Sequence, residues 1–448
     1  MMHIVIIGNG IAGITVARHV RKLSDHKITV ISSETEYFWS RTALMYIYMG
    51  HMKFEHTQPY ENWFWKKNRI DLLFRHVSQI DPTTKSLQFA DGQSISYDKL
   101  VLATGSKTNK FGWPGQDIKG VQGMVNKQDL DSMEKYSKDL KHAVIVGGGL
   151  IGIEMAEMFH SRHIPVTFLV REKSFWDGVM PPEESEMINQ EIYNAGGIDL
   201  RLETELKEIL PDENGRVKAV VTNKGETIDC QFVGLTAGVY PNIELAKNTE
   251  IETNRGFLVN DYLETSVKDI YAVGDCAELR NPVSGRKSIE AVWYTGKLMG
   301  PILAKTLCDT PTIFRQSTWF NSAKFINMEY QVYGSVGNGI KEGEKHLFWK
   351  HHKENKSIRL VYAEDGGQIL GFNLMGIRYR QNVCQNWIES ETHIEEVLQN
   401  LGAANFDPEF FTQYESQVVD LYNQQNPGAN LTLKRKRGWK HVLAVLGR

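Results

Sequence analysis

The chain has 448 residues, of which 41% are hydrophobic and 23% are charged, and its formal net charge is -3. This balance gives no electrostatic signal for nucleic acid, and no apolar run reaches the roughly 20 residues that a membrane-spanning helix needs. Four cysteines without a C-x-x-C spacing exclude a disulfide framework and a zinc site, so we predict no metal and expect a cytoplasmic protein. The length predicts about three domains, and the first residues do not resemble a secretion signal.

A G-x-G-x-x-G motif occurs twice, in HIVIIGNGIAGI at residues 3–14 and in AVIVGGGLIGIE at residues 143–154. Each copy follows an apolar run that predicts a buried strand, and each opens a run that predicts a helix. A second strand follows each helix, KITVIS from Lys27 and PVTFLV from Pro165. The repeat therefore predicts two related βαβ units.

The residue types in this motif suit the binding of a dinucleotide. The first glycine permits a tight turn, the second lets the backbone approach a pyrophosphate, and the third lets helix and strand pack closely. The helix N-terminus presents N–H groups to the phosphates, and an acid after the second strand, Glu34 or Glu172, holds ribose hydroxyls. Tight turns that merely pack are the alternative. The predicted contacts are Gly8, Gly10, Ile11, Ala12 and Gly13 in the first copy, and Gly147, Gly149, Leu150, Ile151 and Gly152 in the second.

Two dinucleotide sites in one chain indicate an electron relay between two cofactors. Nicotinamide and flavin fit this pairing, because hydride transfer needs both rings held against each other.

The rest of the chain contains further strands and a different C-terminal part. DIYAVGD at 269–275 predicts a buried strand that ends in Gly-Asp. Beyond about Thr310 the pattern predicts a separate α+β unit without a nucleotide signature. Its strands are expected at 318–334 and 357–364, and its amphipathic helices at 380–390 and 392–401.

Over residues 1 to about 310 the chain resembles the pyridine-nucleotide-disulfide oxidoreductase superfamily, flavoproteins with two dinucleotide-binding domains. Within it, the chain is most similar to NADH-dependent ferredoxin and rubredoxin reductases and to nitrite reductase flavin domains. The matching stretches are GNGIAG at 8–13, LVLATGS at 100–106, GGGLIGIE at 147–154, TAGVYPN at 236–242, YAVGDCAE at 271–278 and EAVW at 290–293.

The resemblance implies a role for individual residues. Ala103, Thr104 and Gly105 lie beside FAD, Val77 contacts its adenine through the backbone, and Asp275 binds its ribityl chain. Gly238 lies close to the nicotinamide nucleotide. Glu154 and Trp293, the predicted catalytic residues, lie near the flavin and nicotinamide rings.

Three of these residues have an alternative interpretation in the sequence. Asp275 is then a helix N-cap, Glu154 a solvated helix residue, and Trp293 an ordinary core residue.

The stretch EYFWSRTALM at 36–45 departs from the disulfide reductases, which carry redox cysteines there. A thiolate relay needs a thiolate, so disulfide reductase and cysteine peroxidase activities are excluded. Ferredoxin-type reductases have an aromatic residue and an arginine here, which match Trp39 and Arg41. Arg41 is predicted to hold the FAD phosphates, with a surface ion pair as the alternative.

The nucleotide donor depends on two neighbouring side chains. Glu172 favours NADH by contacting the ribose 2′-hydroxyl, whereas Arg171 would take the 2′-phosphate of NADPH. We expect NADH.

The predicted fold is α/β, with two Rossmann-like dinucleotide-binding domains of the three-layer ββα sandwich type and a C-terminal α+β domain. The predicted segments are an FAD domain at 1–115 and 255–312, an NAD(P)H domain at 116–254, an interface domain at 313–433 and a basic amphipathic tail at 434–448.

The predicted function is that of an FAD-dependent NAD(P)H oxidoreductase with a ferredoxin-like, rubredoxin-like or other acceptor. A homodimer is expected and nucleic acid is not a partner. Because the tail is basic and amphipathic, a membrane-associated NADH:quinone oxidoreductase on the inner face of the membrane is one alternative. A flavin-binding redox switch that regulates other proteins is the second.

Overall fold

The computed structural model describes residues 1–410 and 412–434. Their contacts divide into two compact units. The first comprises Met1–Arg171 and Gly197–Gln316, and the second comprises Glu172–Gly196 and the described residues from Ser317 onward. The predicted tail lies, except for Lys434, outside the described residues.

The strands of the first unit are β1 His3–Ile7, β2 Lys27–Ser32, β3 Ile70–Phe74, β4 Val77–Asp81, β5 Ser86–Phe89, β6 Ser94–Ser96, β7 Lys99–Leu102, β8 Ser106–Thr108, β9 Val121–Gln122, β10 Ala143–Val146, β11 Val166–Leu169, β12 Ile198–Arg201, β13 Leu206–Pro211, β14 Val217–Thr222, β15 Thr227–Asp229, β16 Phe232–Leu235, β17 Val239–Pro241, β18 Phe257–Val259, β19 Ile270–Ala272 and β20 Ala277–Leu279. Those of the second are β21 Phe320–Phe325, β22 Met328–Gly334, β23 Glu344–Lys350, β24 Ser357–Ala363 and β25 Ile369–Met375.

The helices, in chain order, are α1 Ile11–Leu23, α2 Leu44–Tyr48, α3 Asn62–Lys67, α4 Lys127–Tyr136, α5 Leu150–Ser161, α6 Pro182–Ala195, α7 Trp293–Leu307, α8 Gln381–Glu389, α9 Ile394–Gln399 and α10 Glu415–Gln425. Of these, α6, α8, α9 and α10 belong to the second unit.

The first unit contains two parallel sheets of the same design. One has the order β19-β7-β1-β2-β3 and the other β12-β11-β10-β16-β9. In the first sheet, the central strand β1 pairs with β2 on one side and with the later strand β7 on the other. In the second sheet, β10 pairs with β11 on one side and with the later strand β16 on the other. Ligands of such sheets bind at this switch point, outside the carboxyl ends of the strands.

A three-stranded antiparallel sheet accompanies each parallel sheet, with β4-β5-β6 in the first case and β13-β14-β15 in the second. Val144 and Val146 of β10 share a core with Leu206 and Val220 of the second small sheet. The first core likewise joins β1 to Leu87 of β5. Two three-layer Rossmann-like arrangements result, which confirms the predicted fold class.

The second unit contains a five-stranded antiparallel sheet of order β21-β22-β25-β24-β23. Its buried core includes Phe372 of β25, Val397 of α9 and Val418 of α10. The strands and helices expected beyond Thr310 are therefore present as an α+β unit.

The second unit also contains residues 172–196, which the sequence boundaries assign to the second nucleotide domain. The physical reason is a buried ion pair. Arg359 of β24 donates to Glu184 of α6 from Nε at 2.7 Å and from Nη2 at 2.8 Å, and Nη2 also contacts Glu183. The pair joins positions far apart in the sequence, so local pattern does not reveal it.

We predict that Arg359→Met lowers the free energy of unfolding by about 3–5 kcal/mol, because it leaves the Glu184 carboxylate buried without its partner. Denaturant unfolding followed by circular dichroism measures the loss. Arg378→Met is the matched control, since Arg378 also pairs with a glutamate, Glu329, but at an exposed position. Its expected cost is about 0–1 kcal/mol. Equal losses in the two variants would contradict the prediction.

Candidate cofactor sites

The first glycine turn leads from β1 into α1 and leaves no room for a side chain. Gly8 has a φ of +116°, and a Cβ there would lie 2.0 Å from the carbonyl oxygen of Ala103. A Cβ on Gly13 would lie 2.1 Å from the carbonyl oxygen of Gly8. Gly10 precedes α1 without a side-chain cap, and the first turn has no acidic residue. The first N–H groups of α1, at Ile11 and Ala12, thus have no side-chain cap, which is the arrangement by which helix N-termini bind pyrophosphates.

Glu34 and Arg41, for which separate ligand contacts were predicted, contact each other. The Arg41 guanidinium pairs with the Glu34 carboxylate and lies 5.5 Å from the ring centre of Trp39. The other Glu34 oxygen accepts a hydrogen bond of 3.0 Å from the backbone N–H of Lys127, at the start of α4. Arg41 therefore forms an ion pair, the role that the sequence left as its alternative, and its contact with the FAD phosphates stays a prediction.

Asp275 lies in a 3-10 turn, Gly274–Cys276, after β19. The N-cap of this turn is Val273, so the alternative interpretation of Asp275 as a helix N-cap is wrong. Burial raises the pKa of the Asp275 carboxyl, whereas a 3.0 Å hydrogen bond from Ser106 Oγ and the charge of Arg41 lower it. Sequence reasoning did not select Ser106, although it directly follows the Ala-Thr-Gly stretch.

The turns after β7 and β16 are joined to each other. Thr104 Oγ1 donates to the carbonyl oxygen of Asn242 at 2.7 Å, and the Asn242 N–H donates to the carbonyl oxygen of Gly105 at 2.9 Å. Next to them, β8 and β17 pair as antiparallel strands. Gly238, with a φ of +98°, lies just before β17. The carboxyl edges of the two parallel sheets are thereby connected.

The second glycine turn repeats the first in detail. Gly147 has a φ of +113°, and a Cβ there would lie 2.6 Å from the backbone nitrogen of Ala237. A Cβ on Gly152 would lie 2.3 Å from the carbonyl oxygen of Gly147. Gly149 precedes α5, which begins with Leu150 and Ile151, without a side-chain cap. The second turn therefore has the same geometry as the first, and its nucleotide contacts stay predictions.

Thr236 secures the second turn and was missed in the sequence. Its Oγ1 donates to the carbonyl oxygens of Val146 at 2.9 Å and Gly147 at 3.1 Å. Because β16 and β10 are far apart in the chain, only their pairing in the sheet reveals this contact.

Glu154, one of the two predicted catalytic residues, lies on α5. Burial raises the pKa of its carboxyl to about 7, and the carboxylate of Glu157 adds to the shift. Glu154 is half-buried on this helix, and its catalytic role stays a prediction.

Trp293, the other predicted catalytic residue, begins α7 and is half-buried. Lys297 Nζ lies 4.7 Å from its ring centre. The helix packs closely on α1, where a Cβ on Gly300 would lie 2.5 Å from Thr15 Cγ2. The structure thus places Trp293 at an N-terminus rather than in the core.

The remaining predicted residues lie at strand ends. Val77 is the first residue of β4, and its side chain is buried. Arg171 and Glu172 follow β11, where the first unit ends and the second begins. Their roles stay predictions.

Several features are absent from the described residues. Residues 1–410 and 412–434 hold no group of three or more His, Cys, Asp and Glu that would bind a metal ion. Within the same ranges, no helix has the length and hydropathy to cross a membrane. The segment 36–45, which contains Arg41, has no cysteine. Of the four cysteines of the chain, Cys230, Cys276 and Cys384 are buried and Cys308 is partly buried.

A family model described as pyridine nucleotide-disulphide oxidoreductase matches residues 2–297. The chain belongs to this family. The chain is 30% identical over 435 residues to the assimilatory nitrate reductase electron transfer subunit of Bacillus subtilis. These residues cover 95% of this chain and 54% of that protein. It is 28% identical over 314 residues to the rubredoxin-NAD(+) reductase of Ectopseudomonas oleovorans, which covers 69% of this chain and 81% of that one.

The Bacillus subtilis nitrite reductase [NAD(P)H] is 28% identical over 399 residues, with 88% of this chain and 48% of that protein covered. The chain therefore spans about half the length of the two Bacillus subtilis relatives.

Solved structures of the family share this fold. A NAD-dependent persulfide reductase from A. fulgidus superposes with a TM-score of 0.82 at 20% identity, covering 95% of this chain and 84% of that one. A ferredoxin reductase from Rhodopseudomonas palustris superposes with a TM-score of 0.76 at 23% identity, covering 84% of this chain and 91% of that one.

Family membership confirms the predicted cofactors, FAD together with NADH or NADPH. Both glycine turns fit the phosphates of such cofactors, because each leads into a helix whose first N–H groups have no side-chain cap. Glycine is required in these turns, since a Cβ there would collide with neighbouring backbone atoms.

We predict that Gly8→Ala lowers the FAD content of the purified protein at least about tenfold, because the added methyl group collides with the Ala103 carbonyl and the backbone must leave its positive φ. Flavin absorbance per polypeptide measures the content. Gly178→Ala is the control, since Gly178 has open space around its Cβ position and no positive φ. Full FAD content in Gly8→Ala would disprove the assignment of this turn.

We also predict that Glu154 makes stability depend on pH. Its folded-state pKa of about 7 lies above the ordinary value of 4.5, so the folded state binds more protons and stability falls as the pH rises through this interval. Glu154→Gln removes this fall and is more stable than the wild type above pH 7, by about 1–3 kcal/mol. Urea unfolding of the FAD-free chain at several pH values measures the effect. Glu213→Gln, at an exposed position, keeps the wild-type profile.

Proposed function

We propose that the chain is an FAD-dependent NAD(P)H oxidoreductase that delivers electrons to a small iron–sulfur protein of the ferredoxin or rubredoxin type. One observation carries the proposal: two equivalent glycine turns, each opening a helix without a side-chain cap, lie at the carboxyl edges of two parallel sheets that are connected through Thr104, Gly105 and Asn242. When bound, FAD accepts a hydride from the nicotinamide and releases the electrons to an acceptor.

The residues of the first site would hold FAD by its charge and its polar chain. The N–H groups at the start of α1 would bind the pyrophosphate, and Arg41 would contact the same phosphates. Glu34 would accept hydrogen bonds from the adenosine ribose. Asp275, oriented by Ser106, would accept hydrogen bonds from the ribityl hydroxyls.

The residues of the second site would hold the pyridine nucleotide. The start of α5 binds its pyrophosphate, and Glu172 favours NADH through the ribose 2′-hydroxyl. Glu154, with a pKa of about 7, is able to be neutral beside a nicotinamide. The contribution of these groups is to orient the rings and exclude water.

The segment 36–45, which has no cysteine, supports this choice of acceptor. An iron–sulfur partner takes electrons from a flavin without a thiol in that segment. The rubredoxin-NAD(+) reductase similar to this chain has such a partner in its name, and so does the ferredoxin reductase of the same fold. A quinone acceptor was suggested only by the tail, most of which lies outside the described residues.

The test is an anaerobic titration of the yellow protein with NADH and with NADPH. We expect bleaching of the flavin absorbance at one equivalent, with NADH faster than NADPH. A purified chain that is colourless and does not bind added FAD would refute the proposal. A flavin that stays oxidised in excess NADH and NADPH would refute it as well.

Steady-state assays then compare ferredoxin, rubredoxin and a soluble quinone as acceptors. We expect multiple turnovers with an iron–sulfur protein, which a redox switch would not support. Alkylation of the NADH-reduced enzyme with N-ethylmaleimide should leave this activity unchanged, because the segment 36–45 has no cysteine and Cys276, which follows Asp275, is fully buried. Its loss would indicate a thiol in the electron path.

A further inference from the structure

Arg162 lies at the C-terminal end of α5 and binds two other elements at once. Its Nη1 and Nη2 donate to the two carboxylate oxygens of Glu134 on α4, at 2.8 and 2.6 Å. Its Nε donates to the backbone carbonyl oxygen of Tyr48 at 3.1 Å, and Nη2 contacts the same oxygen. Its guanidinium carbon lies 3.5 Å from the ring centre of Tyr48.

Tyr48, the last residue of α2, is fully buried beneath this guanidinium. Its hydroxyl lies 2.6 Å from Ser137 Oγ, which itself donates to the carbonyl oxygen of Met133, so the tyrosine is the donor. Its ring meets Phe159 of α5 edge-on at 5.8 Å. The end of α2 is therefore held from both sides by the second nucleotide domain.

The elements joined by this cluster lead directly to the two cofactor sites. Helix α5 begins at the second glycine turn and carries Glu154, so its far end is rigidly connected to the nucleotide site. Helix α2 continues without a break from a 3-10 turn, Arg41–Ala43, which carries the arginine of the first site. This is the segment that lacks cysteines.

We propose that Arg162 is a positioning residue that sets the nicotinamide against the flavin by fixing α2 to α5. The inference rests on the proposed function. Its physical basis is that three groups with fixed directions, a carboxylate, a carbonyl oxygen and a ring face, are satisfied by one planar guanidinium. A displacement of about 1 Å between reacting groups is enough to slow a reaction about a hundredfold.

Arg162→Lys is the decisive variant, because lysine keeps the charge but cannot bind all three groups in one plane. We expect the rate constant of flavin reduction by NADH, measured by anaerobic stopped flow, to fall about tenfold or more. The FAD content and the NADH dissociation constant stay within twofold of the wild type. The charge-transfer absorbance of the complex with reduced flavin and NAD+ weakens.

Arg201→Lys is the matched control. Arg201 also donates to a carboxylate, that of Asp199, at 2.7 Å, but it is exposed at the end of β12. We expect NADH to reduce the flavin of Arg201→Lys as fast as that of the wild type. Glu134→Gln is a milder second variant at a partly exposed side chain, and we expect a two- to fivefold slower reduction without loss of fold.

A measurement on the FAD-free chain separates the inference from the activity. Hydrogen–deuterium exchange at residues 41–48 should rise at least about threefold in Arg162→Lys and stay unchanged in Arg201→Lys. Unchanged exchange, an unchanged reduction rate or loss of FAD from Arg162→Lys would overturn the inference. A wild-type protein whose flavin is not reduced by NADH would instead refute the proposed function. The exchange result would still test whether Arg162 fixes α2 to α5.

Discussion

The close approach of backbone to backbone at the two glycine turns is the constraint on which the rest depends. At Gly8 and at Gly147 the chain passes so near the loop of the neighbouring strand that a single methyl group has no place. This contact exists only because β7 pairs with β1, and β16 with β10, in parallel register. The sheet order therefore builds the anion sites, and the helices that follow supply their N–H groups.

The two parallel sheets are connected to each other at two places. Thr104 and Gly105 follow β7 of the first sheet, and their two hydrogen bonds with Asn242, which follows β17, form the first connection. Arg162 forms the second connection on α2 through charge and ring contact. With an attachment at both places, the relative position of the two parallel sheets is fixed at more than one point.

The parts that the sequence predicted well are those with a local cause. Strand runs and glycine turns depend on neighbours within about thirty residues. Ser106, Thr236 and Arg162 were missed because their partners lie far away in the chain. The same reason explains residues 172–196, whose attachment to the second unit depends on Arg359.

The pairing of Arg41 with Glu34 has a consequence for the backbone around the first glycine turn. The Glu34 carboxylate accepts from the Arg41 guanidinium and from the backbone N–H of Lys127. One side chain therefore links the loop after β2, the turn before α2 and the start of α4. A substitution of Glu34 would disturb all three segments at once, although they are far apart in the sequence.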